Sequence, residues 1–281
     1  MFQNDLLKGK TIIVTGGGTG LGKAMATRCA QLGAQLVLTS RDLGHLEPTA
    51  EEMRKQGADV LTVPCDVRQP ESVEAMVAKA IERFGKLDGL VNNAAGNFLC
   101  PSEKLSYNGF NSIVQIVLYG AFNCTTTVGR QFIKQGTGGT ILSICTTYAW
   151  TGSAYVLPSA VAKSGVLIMT RSLAVEWARH KIRLNAIAPG PFPTEGAWSR
   201  LAPPGMGEEM IAKKIPAGRF GRHDELANLA AYLLADGSGY ITGECVTIDG
   251  GEWLMGGEFN EYTKHDPTAV AQMMEMMRPK K

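Results

Sequence analysis

The sequence has no apolar run near the roughly 18 residues that a membrane-spanning helix needs. Its opening, MFQNDLLKGK, holds no apolar signal core before the first strand-like run begins. Histidine is scarce: the four present (His45, His180, His223, His265) are too dispersed to suggest a metal site. No CxxC pair occurs among the six cysteines (Cys29, Cys65, Cys100, Cys124, Cys145, Cys245). Several lie in apolar strand-like runs, where a thiol behaves as a small hydrophobe, so they are expected to be buried and reduced. Reduced thiols and the missing signals give the expectation of a cytoplasmic protein. Neither charge dominates, with 28 Lys+Arg against 26 Asp+Glu. That balance argues against nucleic acid or an anionic membrane as partner and leaves anion recognition to local groups.

What is present is a chain of 281 residues, 44% hydrophobic, long enough to bury a substantial core as one domain. Short β-branched runs alternate with amphipathic stretches: TIIVT, QLVLT, DVLTVPCD, GLVNNAAG, TILSI, IRLNAIAPG and YITGECVTIDGG, with helical patterns between most of them. The alternation predicts βαβ units and a doubly wound α/β domain around a parallel sheet of about seven strands. No internal repeat or linker interrupts it. The segment 191–216 is rich in proline and glycine and reads as a long excursion, the kind that forms a lid. Residues 1–255 are expected to form the domain, with 256–281 as an extension packed on it or on a subunit interface. The Met-rich stretch AVAQMMEMM fits core or interface packing better than substrate contact.

The first strand-like run ends in Thr15-Gly16-Gly17-Gly18-Thr19-Gly20-Leu21-Gly22 and leads into a helical pattern. Glycines let such a turn adopt positive φ and bring backbone amides close to a pyrophosphate at a helix N-terminus. About 20 residues on, an acid would bind a ribose 2′-hydroxyl, but the chain reads Thr39-Ser40-Arg41. A guanidinium there suits a 2′-phosphate and favours NADPH, unless Arg41 is simply a solvated helix-start residue beside Asp42. Asp66, after the third strand, is placed to meet the adenine.

The stretch YAWTGSAYVLPSAVAKSG (148–165) sets Ser159 four residues before Lys163, a spacing that shares one helix face. With TGGGTGLG, NNAAG (92–96) and the PGP turn (189–191), it resembles the short-chain dehydrogenase/reductase family, of Rossmann type, over essentially the whole chain. The family's usual catalytic tyrosine stands where this chain has Ser159, and its usual serine where this chain has Thr146; Tyr119 replaces a helix asparagine found in many members. An aliphatic hydroxyl is far too weak an acid to protonate an alkoxide at neutral pH. The words AAGNF, PFPTEGAWSRL, DELANLAAYL and DGGEWLMGGEFN are similar to those of the mitochondrial-type 2,4-dienoyl-CoA reductases within that family.

That resemblance implies a homotetramer that uses NADPH to reduce a 2,4-dienoyl-CoA to a trans-3-enoyl-CoA in unsaturated fatty acid breakdown. It implies Tyr148 and Asn97 as donors to a thioester oxyanion. Lys163 would hold the nicotinamide ribose, and Ser159 would orient Lys163 or that ribose. Further cofactor contacts would come from Leu21, Val67, Asn93, Pro189, Gly190 and Phe192. Arg68 and Arg200 would meet CoA phosphates, with Phe98 and Ser106 along the acyl or pantetheine path and Trp198, Leu201 and Met206 in the lid. Each arginine is equally readable as a surface ion-pair partner. Apart from the family, Tyr148 reads as a loop aromatic, Lys163 as an exposed helix lysine and Asn97 as a turn residue. A reductase of 3-oxoacyl thioesters or ketones and a catalytically silent NADPH-binding module are the alternatives.

Overall fold

Five-residue runs such as TIIVT, with every side chain buried, can only sit in the middle of a sheet covered on both faces. A computed structural model, describing residues 3–194, 196 and 208–279, places them so. Seven strands, β1 (Thr11–Thr15), β2 (Gln35–Ser40), β3 (Val60–Pro64), β4 (Gly89–Asn92), β5 (Gly139–Ile144), β6 (Ile182–Pro189) and β7 (Cys245–Ile248), form one parallel sheet in the order β3-β2-β1-β4-β5-β6-β7. This is the doubly wound, Rossmann-type arrangement the alternation predicts.

The strands' two-residue period divides the core. Ile12, Val14, Leu36 and Leu38 point to one face, where α1 (Gly20–Gln31), α2 (Leu43–Lys55) and α9 (His223–Leu234) bury Met25, Leu46 and Leu226. Ile13, Val37 and Leu90 point to the other, covered by α3 (Pro70–Phe84), α5 (Gly120–Gln135) and α7 (Leu157–Trp177). Pro70 starts α3 where no intrahelical N–H is needed, and Gly85 ends it in the left-handed conformation at φ +78°.

Between α4 (Tyr107–Val114) and α5 the helix widens into one π turn, Gln115–Tyr119. Tyr148 stands in a one-turn helix, α6 (Tyr148–Thr151), rather than in the loop its Gly/Ser neighbours suggest. Further helical pieces are α8 (Glu208–Ala212) and α10 (Pro267–Met276). No residue of α10 is buried, and Met274, Met276 and Met277 are exposed, so the methionine stripe does not pack as core within the chain. Among the described residues no helix is long and apolar enough to cross a membrane.

Chain order reverses between β1 and β4, and the crevice beyond the carboxyl ends of these two strands is where ligands bind in such sheets.

Candidate active site

The glycine turn occupies that crevice. Gly16 (φ +64°) and Gly20 (φ +52°) lie in the left-handed region. A Cβ on Gly22 would stand 2.1 Å from the Gly16 carbonyl oxygen, so the turn and α1 meet only because Gly22 lacks a side chain. The Thr49 hydroxyl donates to the Gly18 carbonyl at 2.8 Å. Just past β4, Asn93 Nδ2 donates to the carbonyls of Thr15 (3.0 Å) and Gly16 (3.2 Å), so its amide NH2 shapes the turn. Gly17 and Gly18 are buried, Leu21 packs against the core and Thr19 is exposed. The Thr19 side chain makes no capping bond, and α1 has no acid in its first turn. The first amides of α1 therefore face the crevice uncapped, a donor set that fits a pyrophosphate.

At the end of β2 the acid next to Arg41 is already committed. Asp42 Oδ1 accepts from the Gly44 amide at 2.8 Å and caps α2, while Ser40 Oγ donates to the Asp42 carbonyl at 2.7 Å. Arg41 stays exposed at the rim. Asp66 accepts from the Arg68 guanidinium (2.5 to 3.1 Å) and backbone amide (3.1 Å). Hydrogen bonding from Arg68, with Arg41 adding a coulombic pull, holds the Asp66 carboxyl below its usual value. Thus Arg68 is engaged as an ion-pair partner within the chain. Val67 is buried, and its carbonyl accepts from Asn123 Nδ2 at 3.0 Å.

Deeper in, three groups from distant segments meet. Tyr148 OH lies 3.0 Å from Ser159 Oγ and accepts from Asn97 Nδ2 at 3.3 Å. Asn97 Oδ1 accepts from the Phe98 amide at 2.9 Å, which orients the carboxamide with its NH2 toward the phenol. Lys163, one helical turn beyond Ser159, is 8% exposed, not the solvated lysine its helix position alone suggests. Its Nζ donates to the Ile144 carbonyl, and Ser159 pairs with the phenol rather than with the lysine. Burial pushes the Lys163 ammonium below its ordinary value, opposed by the nearby Cys145 thiol. Phe98 packs on the α4/α7 cluster of Ile113, Val117 and Val166. Exposed Ser106 caps α4, accepting from the Gly109 amide at 3.0 Å.

After β6 the chain turns back over the crevice. A Cβ on Gly190 would lie 2.5 Å from that of Asp249, so glycine permits the approach of the β7 end. Pro189 ends the ladder opposite Ile248. Phe192 is buried in the core, its ring against Gly221. Thr194 reaches Gly20. Arg200, Trp198, Leu201 and Met206 lie outside the described residues.

Two features escape a reading by motif. Asn92 is buried on β4, donating to Thr125 Oγ1 (2.8 Å) and Ser143 Oγ (3.4 Å). The π turn brings Val117 and Gly120 toward Val67 and Lys163. The NNAAG word was the available signal for the first; nothing in the sequence marks the second.

Residues 16–252 match the family model described as Enoyl-(Acyl carrier protein) reductase. A Bacillus subtilis (strain 168) protein named Probable 2,4-dienoyl-CoA reductase, (2E)-enoyl-CoA-producing, is 45% identical over 246 residues, 87% of this chain and 97% of its own. A Caenorhabditis elegans protein named Probable 2,4-dienoyl-CoA reductase 3, (3E)-enoyl-CoA-producing, is 44% identical over 90% of this chain and 83% of its own. Among solved structures, a short chain dehydrogenase from Bacillus anthracis superposes with a TM-score of 0.80 at 45% identity, covering 88% of this chain and 97% of that one. A gluconate 5-dehydrogenase from Burkholderia cenocepacia, solved in complex with NADP and tartrate, gives 0.82 at 29% identity, over 88% of this chain and 97% of its own.

Proposed function

The chain belongs to the short-chain dehydrogenase/reductase family, an oxidoreductase family whose fold binds a nicotinamide cofactor, and on that premise we propose that it reduces 2,4-dienoyl-CoA to trans-3-enoyl-CoA with NADPH. One observation carries the reading: a phenol and a carboxamide from segments 51 residues apart converge at 3.3 Å, and the phenol meets Ser159, which stands on α7 where reduction of a carbonyl would call for a more acidic donor than an aliphatic hydroxyl. NADPH, when bound, supplies the hydride, which adds to C5 of the diene.

Negative charge then spreads from the thioester oxygen to C2 and C4. Tyr148 OH and Asn97 Nδ2 are placed to donate to that oxygen, and one such preorganised donor is worth about 2.7–4 kcal/mol of barrier. Protonation at C2, through Tyr148, leaves the double bond at C3; protonation at C4 would leave it at C2. Lys163 holds the ribose hydroxyls, and Ser159 fixes the phenol. The glycine turn takes the pyrophosphate and Arg41 the 2′-phosphate. Arg68 and Arg200 take CoA phosphates, with Phe98 and Ser106 along the thioester arm. A homotetramer belongs to the same reading, supported by the exposed apolar Phe122, Ile168 and Val175 on α5 and α7.

The test is purified protein with NADPH and either a 2,4-dienoyl-CoA or a 3-oxoacyl-CoA, followed by nicotinamide absorbance, with NMR of the product. Turnover of the dienoyl thioester alone, with a C3 double bond, is expected. Turnover of the 3-oxo thioester alone, or of neither, overturns the reading.

A further inference from the structure

The five residues between α6 and α7 include Tyr155 at φ +66°, a left-handed backbone that residues other than glycine and the short polar Asn and Asp seldom adopt. Lys181, the other non-glycine residue in that region among the described ones, caps the helical turn before β6, where the conformation is common. No helix ends at Tyr155. Its ring is 58% exposed, so packing of the side chain does not hold the backbone in place. The carbonyl does: it accepts from the Cys100 amide at 2.9 Å, while the next residue, Val156, is buried and opens α7 with its own carbonyl bonded to the Ala160 amide.

Cys100 stands just beyond Asn97 and Phe98, and Tyr155 lies between Tyr148 and Ser159. Among the described residues, no other backbone hydrogen bond joins the loop after β4 to the stretch from α6 to the start of α7. We propose that this bond, available only while Tyr155 keeps its left-handed turn, sets the approach of Asn97 to Tyr148 and makes Tyr155 a positioning residue for the donor pair. Strained backbone persists only where its surroundings over-determine it, and such residues cluster where geometry matters to function. Relaxation of Tyr155 to an ordinary φ swings its carbonyl off the Cys100 amide. The hydrogen bond then left between the two segments, among the described residues, is the 3.3 Å contact of the donors themselves. This role rests on the reading of Tyr148 and Asn97 as donors to one oxygen, but the bond and its strain do not.

Substitutions at Tyr155 separate backbone from ring. Tyr155→Val keeps a side chain but is branched at Cβ, the shape least tolerated in the left-handed region, whereas Tyr155→Gly loses the ring and adopts that region freely. Hydrogen–deuterium exchange of the Cys100 amide, read by mass spectrometry of fragments, needs no substrate and so answers apart from the reaction. Exchange is expected to quicken roughly tenfold or more in Tyr155→Val and to stay slow in Tyr155→Gly. With a 2,4-dienoyl-CoA and NADPH, kcat of Tyr155→Val should fall about tenfold below that of Tyr155→Gly, with little change in KM. Equal exchange in the two variants overturns the proposal. So does a kcat lowest in Tyr155→Gly, which would make the ring a substrate contact. If the unmodified protein turns over no dienoyl-CoA, the proposed function fails on its own, and the clamp is decided by the exchange together with the 13Cζ NMR signal of Tyr148, identified by its loss in Tyr148→Phe and expected to shift in Tyr155→Val alone. Should Tyr155→Val not fold, Tyr155→Thr, branched alike, takes its place.

Discussion

The Tyr148 hydroxyl and Ser159 Oγ lie 3.0 Å apart, a phenol from α6 touching the position on α7 that is four residues before Lys163. Moving the phenol off the helix frees it to face Asn97 as well, so two donors meet where one would otherwise stand. Tyr148→Phe keeps the ring and removes the donor. A fall in kcat of about a hundredfold is expected, with NADPH affinity unchanged because Lys163 is untouched. Asn97→Ala should behave alike, and the double variant should lose less than the product of the two, since both act on one oxygen. Single-turnover kinetics read the effect, and a near-normal rate in Tyr148→Phe removes the phenol from the mechanism.

Asp42, the acid next to Arg41, is occupied in capping α2 and does not compete with a phosphate for that guanidinium. Arg41→Asp should therefore reverse the cofactor preference, lowering kcat/KM for NADPH at least tenfold while NADH improves. Titrating both cofactors by fluorescence checks it; an unaltered ratio would place the 2′-phosphate elsewhere.

Lys163 opposes folding to the extent that burial lowers its pKa from the ordinary 10.5. Between the folded value and 10.5 the unfolded chain binds the proton that the folded chain has released, so stability rises with pH across that window. Below it, the full cost of the buried charge is present. Lys163→Met should raise the thermal midpoint at neutral pH and flatten its rise toward alkaline pH, while NADPH affinity drops at least tenfold. Calorimetry at pH 7 and pH 10, with and without cofactor, separates the two effects. A variant less stable at every pH would show the lysine to be a net structural contact.

The strands and the glycine turn were legible because each is local. TIIVT is buried along its whole length, and the turn's chemistry lies within eight consecutive residues. The shared face of Ser159 and Lys163 follows from helical period, but its burial does not: only tertiary packing puts Lys163 at the carbonyl of Ile144, the last residue of β5. The meeting of Asn97 with Tyr148 joins the loop after β4 to α6, a separation no periodicity encodes; it was available only through resemblance. Asn92, Thr125 and Ser143 come from three elements, and their network exists only once β4, α5 and β5 are packed. Sequence reasoning left Arg68 open between a substrate contact and a surface ion pair, and the carboxylate two residues away supplies that pair.

That carboxylate sets up the last expectation. Asp66 holds Arg68 at 2.5 Å, with side chains 26% and 33% exposed, a pair that adds under about 1 kcal/mol to stability. Its carboxyl is held down chiefly by Arg68, so the pair persists at neutral pH and is lost only as pH falls through a value below the ordinary 3.8. A CoA phosphate reaching Arg68 near pH 7 must therefore compete with Asp66. Asp66→Asn removes the competitor and should lower KM for the acyl-CoA several-fold. Arg68→Ala should raise that KM about tenfold with kcat retained, and its affinity should depend less on salt. Thermal midpoints should barely move in either case. Initial rates at saturating NADPH measure the opposed shifts; if KM rises in both variants, the pair acts as a unit in holding the loop after β3, and Arg68 does not meet the phosphate.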